Sequence, residues 1–113
     1  MNPRPEELRL KDILTAIDTI YDVRKLLITY PNENLLHNVS RDAINFNLIV
    51  IGEAIRKLPD PFKITNSHIA WQEAIDLRNH LAHQYFAIDV QMVETIIEGQ
   101  LREMAELIEE LIN

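Results

Sequence analysis

DAINFNLIVIGEAIRKLP, residues 42–59, carries apolar side chains on two neighbouring stripes of one helix. Ile44, Leu48, Ile51, Ile55 and Leu58 recur at three- and four-residue steps, and Ala43, Phe46, Val50 and Ala54 follow the same rule beside them. A face this broad needs cover on two sides, as for the central helix of a bundle or one that also meets a second chain. Gly52 sits in its middle and costs about 1 kcal/mol of helix propensity relative to Ala. A close helix–helix approach at that point is one reason to keep it. Pro59-Asp60-Pro61 ends the run, because proline lacks the N–H and clashes with the preceding turn.

Upstream, Leu10, Ile13, Leu14, Ile17, Ile20, Tyr21 and Leu27 give an amphipathic helix from Glu6 to about Tyr30, before Pro31. At 1.5 Å per residue it would be about 35 Å long, which predicts an elongated bundle. The second helix covers 40–58, or begins as early as Glu33. Downstream, residues 62–68 read as a connector with room for one short turn. Thr65, Asn66 and Ser67 are all N-capping types, so a third helix is expected near His68, facing inward through Trp71, Ala74, Ile75 and Leu77. Asp89 reads as the cap of a last helix, Val90 to Ile112, with Val93, Ile97, Leu101, Met104, Ile108 and Leu111 as its stripe. The expected fold is all-α: one domain over residues 1–113, an up-and-down bundle of four main helices with a fifth short one.

Composition narrows the function classes. With 47% hydrophobic and 26% charged residues the chain reads as an ordinary globular protein. Two glycines are too few for a hairpin-rich β fold. The absence of cysteine removes disulfides and thiolate metal sites and suits a reducing cytoplasm. No basic-then-apolar leader opens the sequence and no apolar run reaches about 18 residues, so a cytoplasmic protein without membrane contact is expected. The net charge of -7 is concentrated in the final helix: from Ala87 onward seven acids face Arg102 alone, while residues 1–86 hold eleven acids and ten bases. That leaves room for a locally positive groove elsewhere. No Gly-x-Gly or Gly-Lys-Ser/Thr phosphate loop occurs.

The chemistry collects in WQEAIDLRNHLAHQYFAID, residues 71–89. Arg78, His83 and Tyr85 stand at Arg-x4-His-x-Tyr spacing, with Asn79 and His80 between them. Arginine offers a planar fork of donors to phosphate. Imidazole exchanges protons near neutral pH. A tyrosine hydroxyl bonds phosphate, and its ring stacks on a base. Residues five apart leave a regular helix about 140° from each other, so Arg78 and His83 cannot share one narrow face. Either the helix ends near His83 and lets His83 and Tyr85 turn back, or the working site pools residues of two chains. Asn79 and His83 are four apart, and a hydrogen bond between them would fix the imidazole tautomer. His80 is the less certain member, with a plain exposed helix position as its other reading. His37 and His68 have no supporting spacing and read as structural. His80 and His83, three apart, are the local argument for a metal, but no Glu-x-x-His pair of the di-iron kind accompanies them, and Glu53 has no histidine three residues on. No metal and no cofactor is expected.

Arg-x4-His-x-Tyr resembles the signature of the HEPN ribonucleases and, among them, of the HepT toxins. Residues 42–59 and 71–89 both look like the corresponding segments of that family, and the likeness extends over nearly the whole chain. The resemblance implies a metal-independent RNase toxin of a toxin–antitoxin pair, working as a homodimer on RNA. Arg78 and His83 would be its catalytic residues, with Asn79, His80 and Tyr85 in support. It further implies an MntA-like nucleotidyltransferase antitoxin that adenylylates Tyr85, placing a phosphate beside Arg78 and blocking RNA. The alternative is a non-catalytic HEPN module that binds nucleotide or presents it to a partner nucleotidyltransferase.

Overall fold

The computed structural model describes residues 6–83 and 95–112, with the side chains of all of these except 81–83. Among the described residues, five α-helices and one π-helical turn make an all-α bundle: α1 (Glu6–Thr29), α2 (Asn34–Arg56), α3 (Asp60–Thr65), α4 (Trp71–His83), the π turn (Ile97–Leu101) and α5 (Arg102–Ile112). The shape is elongated, 45 × 30 × 30 Å. Among the described residues no helix is long and apolar enough to cross a membrane.

The central position of α2 follows from its two stripes. Ile44, Leu48, Ile51, Ile55 and Leu58 are all buried, and the helix packs against α1 on one side and α4 on the other. From α1 come Leu10, Ile13, Ala16, Ile17 and Ile20; the π turn and α5 close the core with Ile97, Leu101, Met104 and Ile108. Ile13, Ile20, Ile55, Ile97 and Ile108 are fully buried. The second stripe of α2 is only partly covered: Val50 and Ala54 pack at the core's edge, while Phe46 stays 65% exposed.

Three boundaries differ from the sequence reading. The segment Pro59-Asp60-Pro61 does stop α2, but it also starts α3. Pro59 is extended at the N-cap position and Pro61 lies in the first turn, where a missing N–H costs nothing. Asn66 does not cap α4; it closes α3, its amide donating to Phe62 O at 2.9 Å. The Asn66 carbonyl accepts the Trp71 indole N–H at 3.0 Å. The buried indole lies against Phe62, ring centres 6.3 Å apart, so Trp71 both begins α4 and anchors α3 to it. Leu111, placed on the inner stripe from its spacing, is 37% exposed, while the next residue, Ile112, packs against the core. The start of the last helix at Val90, its Asp89 cap and Val93 lie outside the described residues.

The π turn was not foreseen. The carbonyl of Ile97 accepts the Tyr21 hydroxyl at 2.6 Å, tying the turn to α1. Arg24 pairs with Glu98, and the Arg102 guanidinium sits 5.6 Å from the centre of the Tyr21 ring. Tyr21 and Arg24 of α1 thereby hold the π turn and the start of α5.

Candidate active site

Arg78 reaches α2 because Gly52 makes room for it. A Cβ built on Gly52 would collide with Arg78 Cβ, lie 2.7 Å from Arg78 Cγ and 3.2 Å from the Ala74 carbonyl. The hydrogen of glycine is what allows the two helices to touch here, as the mid-helix position of Gly52 suggested. The arginine stem is therefore laid flat across α2, and its head falls beside the next residue of that helix.

That residue is Glu53. Its Oε1 lies 2.5 Å from Arg78 Nη2, and Arg56 Nη1, one turn along α2, approaches the same oxygen at 3.3 Å. On the other side Arg78 Nη1 donates to Asn79 Oδ1 at 2.9 Å. The guanidinium is thus fixed by a contact at each terminal nitrogen, and each of these nitrogens carries a second N–H left over. The Arg78 side chain is 21% exposed and Glu53 35%, so the head group stands at a water-accessible rim while its Nε is buried. Among the described residues no acceptor meets that Nε. A planar cation held this way suits an oxyanion with two oxygens to offer, such as a phosphodiester.

The other residues singled out in the sequence fall as follows. Asn79 is exposed and its amide oxygen is taken by Arg78, leaving its NH2 group for any further partner. His80 lies on the flank of α4 away from α2, in a cleft with Glu73, Asp76 and Leu77 facing Thr95, Ile96 and Gln100. The fold therefore does not bring His80 to Arg78. The backbone of α4 is continuous through His83, so positions 78 and 83 do leave one helix about 140° apart. The side chain of His83, and Tyr85 altogether, lie outside the described residues. His37 and His68 are exposed. Among the described residues no three His, Asp or Glu side chains converge to hold a metal ion. Glu53 and Arg56 were missed by the sequence reading, since an acid and a base three apart on a helix look like ordinary surface until α4 is laid across them.

One further feature bears on assembly. Leu35, Val39 and Phe46 are 77%, 56% and 65% exposed and stand on one face of α2. By helical periodicity Asp42, half-buried Val50 and Glu53 share that face, so a mainly apolar, partly covered stripe leads to the carboxylate that holds Arg78.

Comparison with known proteins places these features in context. The family described as "Ribonuclease HepT-like" matches residues 13–111. "Putative RNase MJ1380" of Methanocaldococcus jannaschii is 30% identical over 109 residues, covering 96% of this chain and 98% of that protein. "Probable ribonuclease HepT" of Thermococcus cleftensis is 31% identical over 84 residues, 74% of each chain. No solved structure matches.

Proposed function

The chain belongs to the HepT-like ribonuclease family, and on that footing we propose that it is a metal-independent endoribonuclease, the toxin of a toxin–antitoxin pair, acting as a homodimer and silenced by adenylylation of Tyr85. The observation that carries the reading is the presentation of the Arg78 guanidinium, fixed at both terminal nitrogens and still open at the rim between α2 and α4.

RNA supplies its own nucleophile, so little covalent chemistry is asked of the protein. His83 removes the proton of the 2′-hydroxyl as the O2′–P bond forms. The P–O5′ bond breaks, and a second histidine, from the partner copy, returns a proton to the leaving 5′-oxygen. Arg78 binds the non-bridging oxygens and stabilises the charge that builds on them in the transition state. The products are a 2′,3′-cyclic phosphate and a 5′-hydroxyl. The exposed stripe on α2 supports the dimer, since a second copy seated there would bring its own residues up to Arg78. For restraint, the Tyr85 oxygen attacks the α-phosphate of ATP, pyrophosphate leaves, and the AMP that remains fills the groove with bulk and negative charge.

Cleavage of mixed cellular RNA by the purified protein is expected to persist in excess EDTA and to leave cyclic-phosphate ends. Activity abolished by chelator and restored by zinc would overturn the mechanism. Binding of RNA or nucleotide with no cleavage under any condition would favour the non-catalytic module instead. The regulatory half is checked by mass. Protein made together with a nucleotidyltransferase encoded beside it should carry one or more extra AMP groups, mapped to Tyr85, and should no longer cut RNA. A modified protein with Tyr85 untouched would defeat that half alone.

A further inference from the structure

We propose that Glu53 is the positioning residue for Arg78, and that Gly52 and Glu53 together form a two-residue grip that sets the aim of the guanidinium toward the scissile phosphate. The proposal rests on the RNA-cleaving function above.

Three local rules are broken at one side chain. A glycine stands mid-helix in α2, where it costs propensity. The Arg78 Nε is buried with no acceptor among the described residues. A cation lies at the contact between α2 and α4, its stem against Gly52. Breaches that coincide in this way mark places where geometry has been kept for a task other than stability. The ion pair itself is weak evidence of a stability device, because the cost of drawing its half-buried charges out of water offsets much of their attraction. What it supplies is direction. Gly52 fixes the stem, since Cβ and Cγ of Arg78 rest where a side chain at 52 would be. Glu53, the next residue, fixes the head at 2.5 Å. Adjacent positions on one helix thus hold both ends of the same arginine, and Asn79 holds the second terminal nitrogen at 2.9 Å.

The two effects of Glu53 on a phosphodiester oppose each other, and that makes the role testable. Its negative charge repels the bound substrate, while its hold on the guanidinium serves the transition state, where charge on the non-bridging oxygens is greatest. Glu53→Gln keeps the shape and removes the charge. It is expected to lower kcat by about 10- to 100-fold, the scale on which small displacements of a catalytic group act, and to lower KM as well. A loss of folded protein would lower kcat and leave KM where it was. In an Arg78→Lys background, where no fork remains to be aimed, Glu53→Gln should produce little further loss. A second readout needs no RNA. The Arg78 Nε–H resonance in an NMR spectrum of the unmodified protein should shift and broaden in Glu53→Gln. If the wild type fails to cut RNA while that resonance still responds, the proposed function falls and the grip stands. If the wild type cuts RNA and Glu53→Gln leaves kcat and KM unchanged, or costs as much with Lys at 78 as with Arg, the positioning role is overturned.

Discussion

Replacing His83 by Ala is expected to slow RNA cleavage about 10²- to 10⁴-fold, the usual contribution of a general base. Replacing Arg78 by Ala is expected to cost about 10²- to 10³-fold, the loss that follows removal of one charge-stabilising donor group. Neither change should unfold the chain. Arg78 is a rim residue whose ion-pair partner is water-accessible, and α4 is anchored elsewhere, through Trp71 and its indole bond to Asn66. The double variant should be little worse than the poorer single one, because the two groups act on the same step. A more searching form of the experiment mixes the two single variants. Positions 78 and 83 lie about 140° apart on one helix that is described as far as His83, and a site pooled from two copies is one way to bring them together. A mixed dimer of Arg78→Ala and His83→Ala subunits would then own one site that pairs an intact Arg78 with the one intact His83 and lacks only the second histidine, and another site with neither group. Cleavage that reappears on mixing, together with sedimentation as a dimer, supports the shared site. Two inactive variants that stay inactive when mixed, in a protein that sediments at its 13.2 kDa chain mass, would place the whole reaction within one chain or refute it.

The parts of the fold set by local patterning were legible in the sequence. The stripe from Ile44 to Leu58 marked α2 as central because each of its residues had to be covered, and each is buried. Gly52 was compatible with a close approach or with simple tolerance of its cost in mid-helix, and the Arg78 stem lies against it. The parts that depend on which helix lies across which were not legible. Glu53 and Arg78 are 25 positions apart, and only the α2–α4 contact makes them partners. Asn66, one of three capping types read as heralding the helix near His68, closes α3 instead, because such residues serve helix starts and turn closures alike. The π turn had a faint signal in the four-residue steps Val93, Ile97, Leu101. Each such step advances about 40° around an α-helix, and a wider turn at Ile97–Leu101 absorbs part of that advance. The placement of His80 also needed the tertiary structure. Its neighbours in sequence are those of the motif, but its neighbours in space are Glu73, Asp76 and the residues leading into the π turn. An acidic cleft of that kind is unsuited to a polyanion.

The two glycines of the chain are expected to respond in opposite directions to alanine, and the contrast tests the α2–α4 contact on which the active-site reading rests. Gly99 lies exposed in the π turn, and a Cβ added there meets nothing within 4 Å. Gly99→Ala should be neutral or stabilising by up to about 1 kcal/mol, the helix propensity of alanine over glycine. Gly52→Ala gains the same propensity and loses more. The new methyl would overlap the Arg78 Cβ and press on the Ala74 carbonyl, both parts of α4 that cannot swing aside as a flexible chain end would. The helix must retreat as a body, and overpacking of this kind costs about 1–3 kcal/mol. The net destabilisation is therefore up to about 2 kcal/mol, which for a chain of this length lowers the melting temperature by roughly 5 °C per kcal/mol. The effect on cleavage is larger. A shift of about 1 Å in α4 carries the Arg78 head away from Glu53 and from the phosphate, and displacements of that size cost about 10²-fold in rate. Thermal melts and single-turnover cleavage of both variants measure the two effects separately. A Gly52→Ala protein as stable and as active as the parent would mean that α2 and α4 do not touch at this point, and the grip on Arg78 would go with the contact.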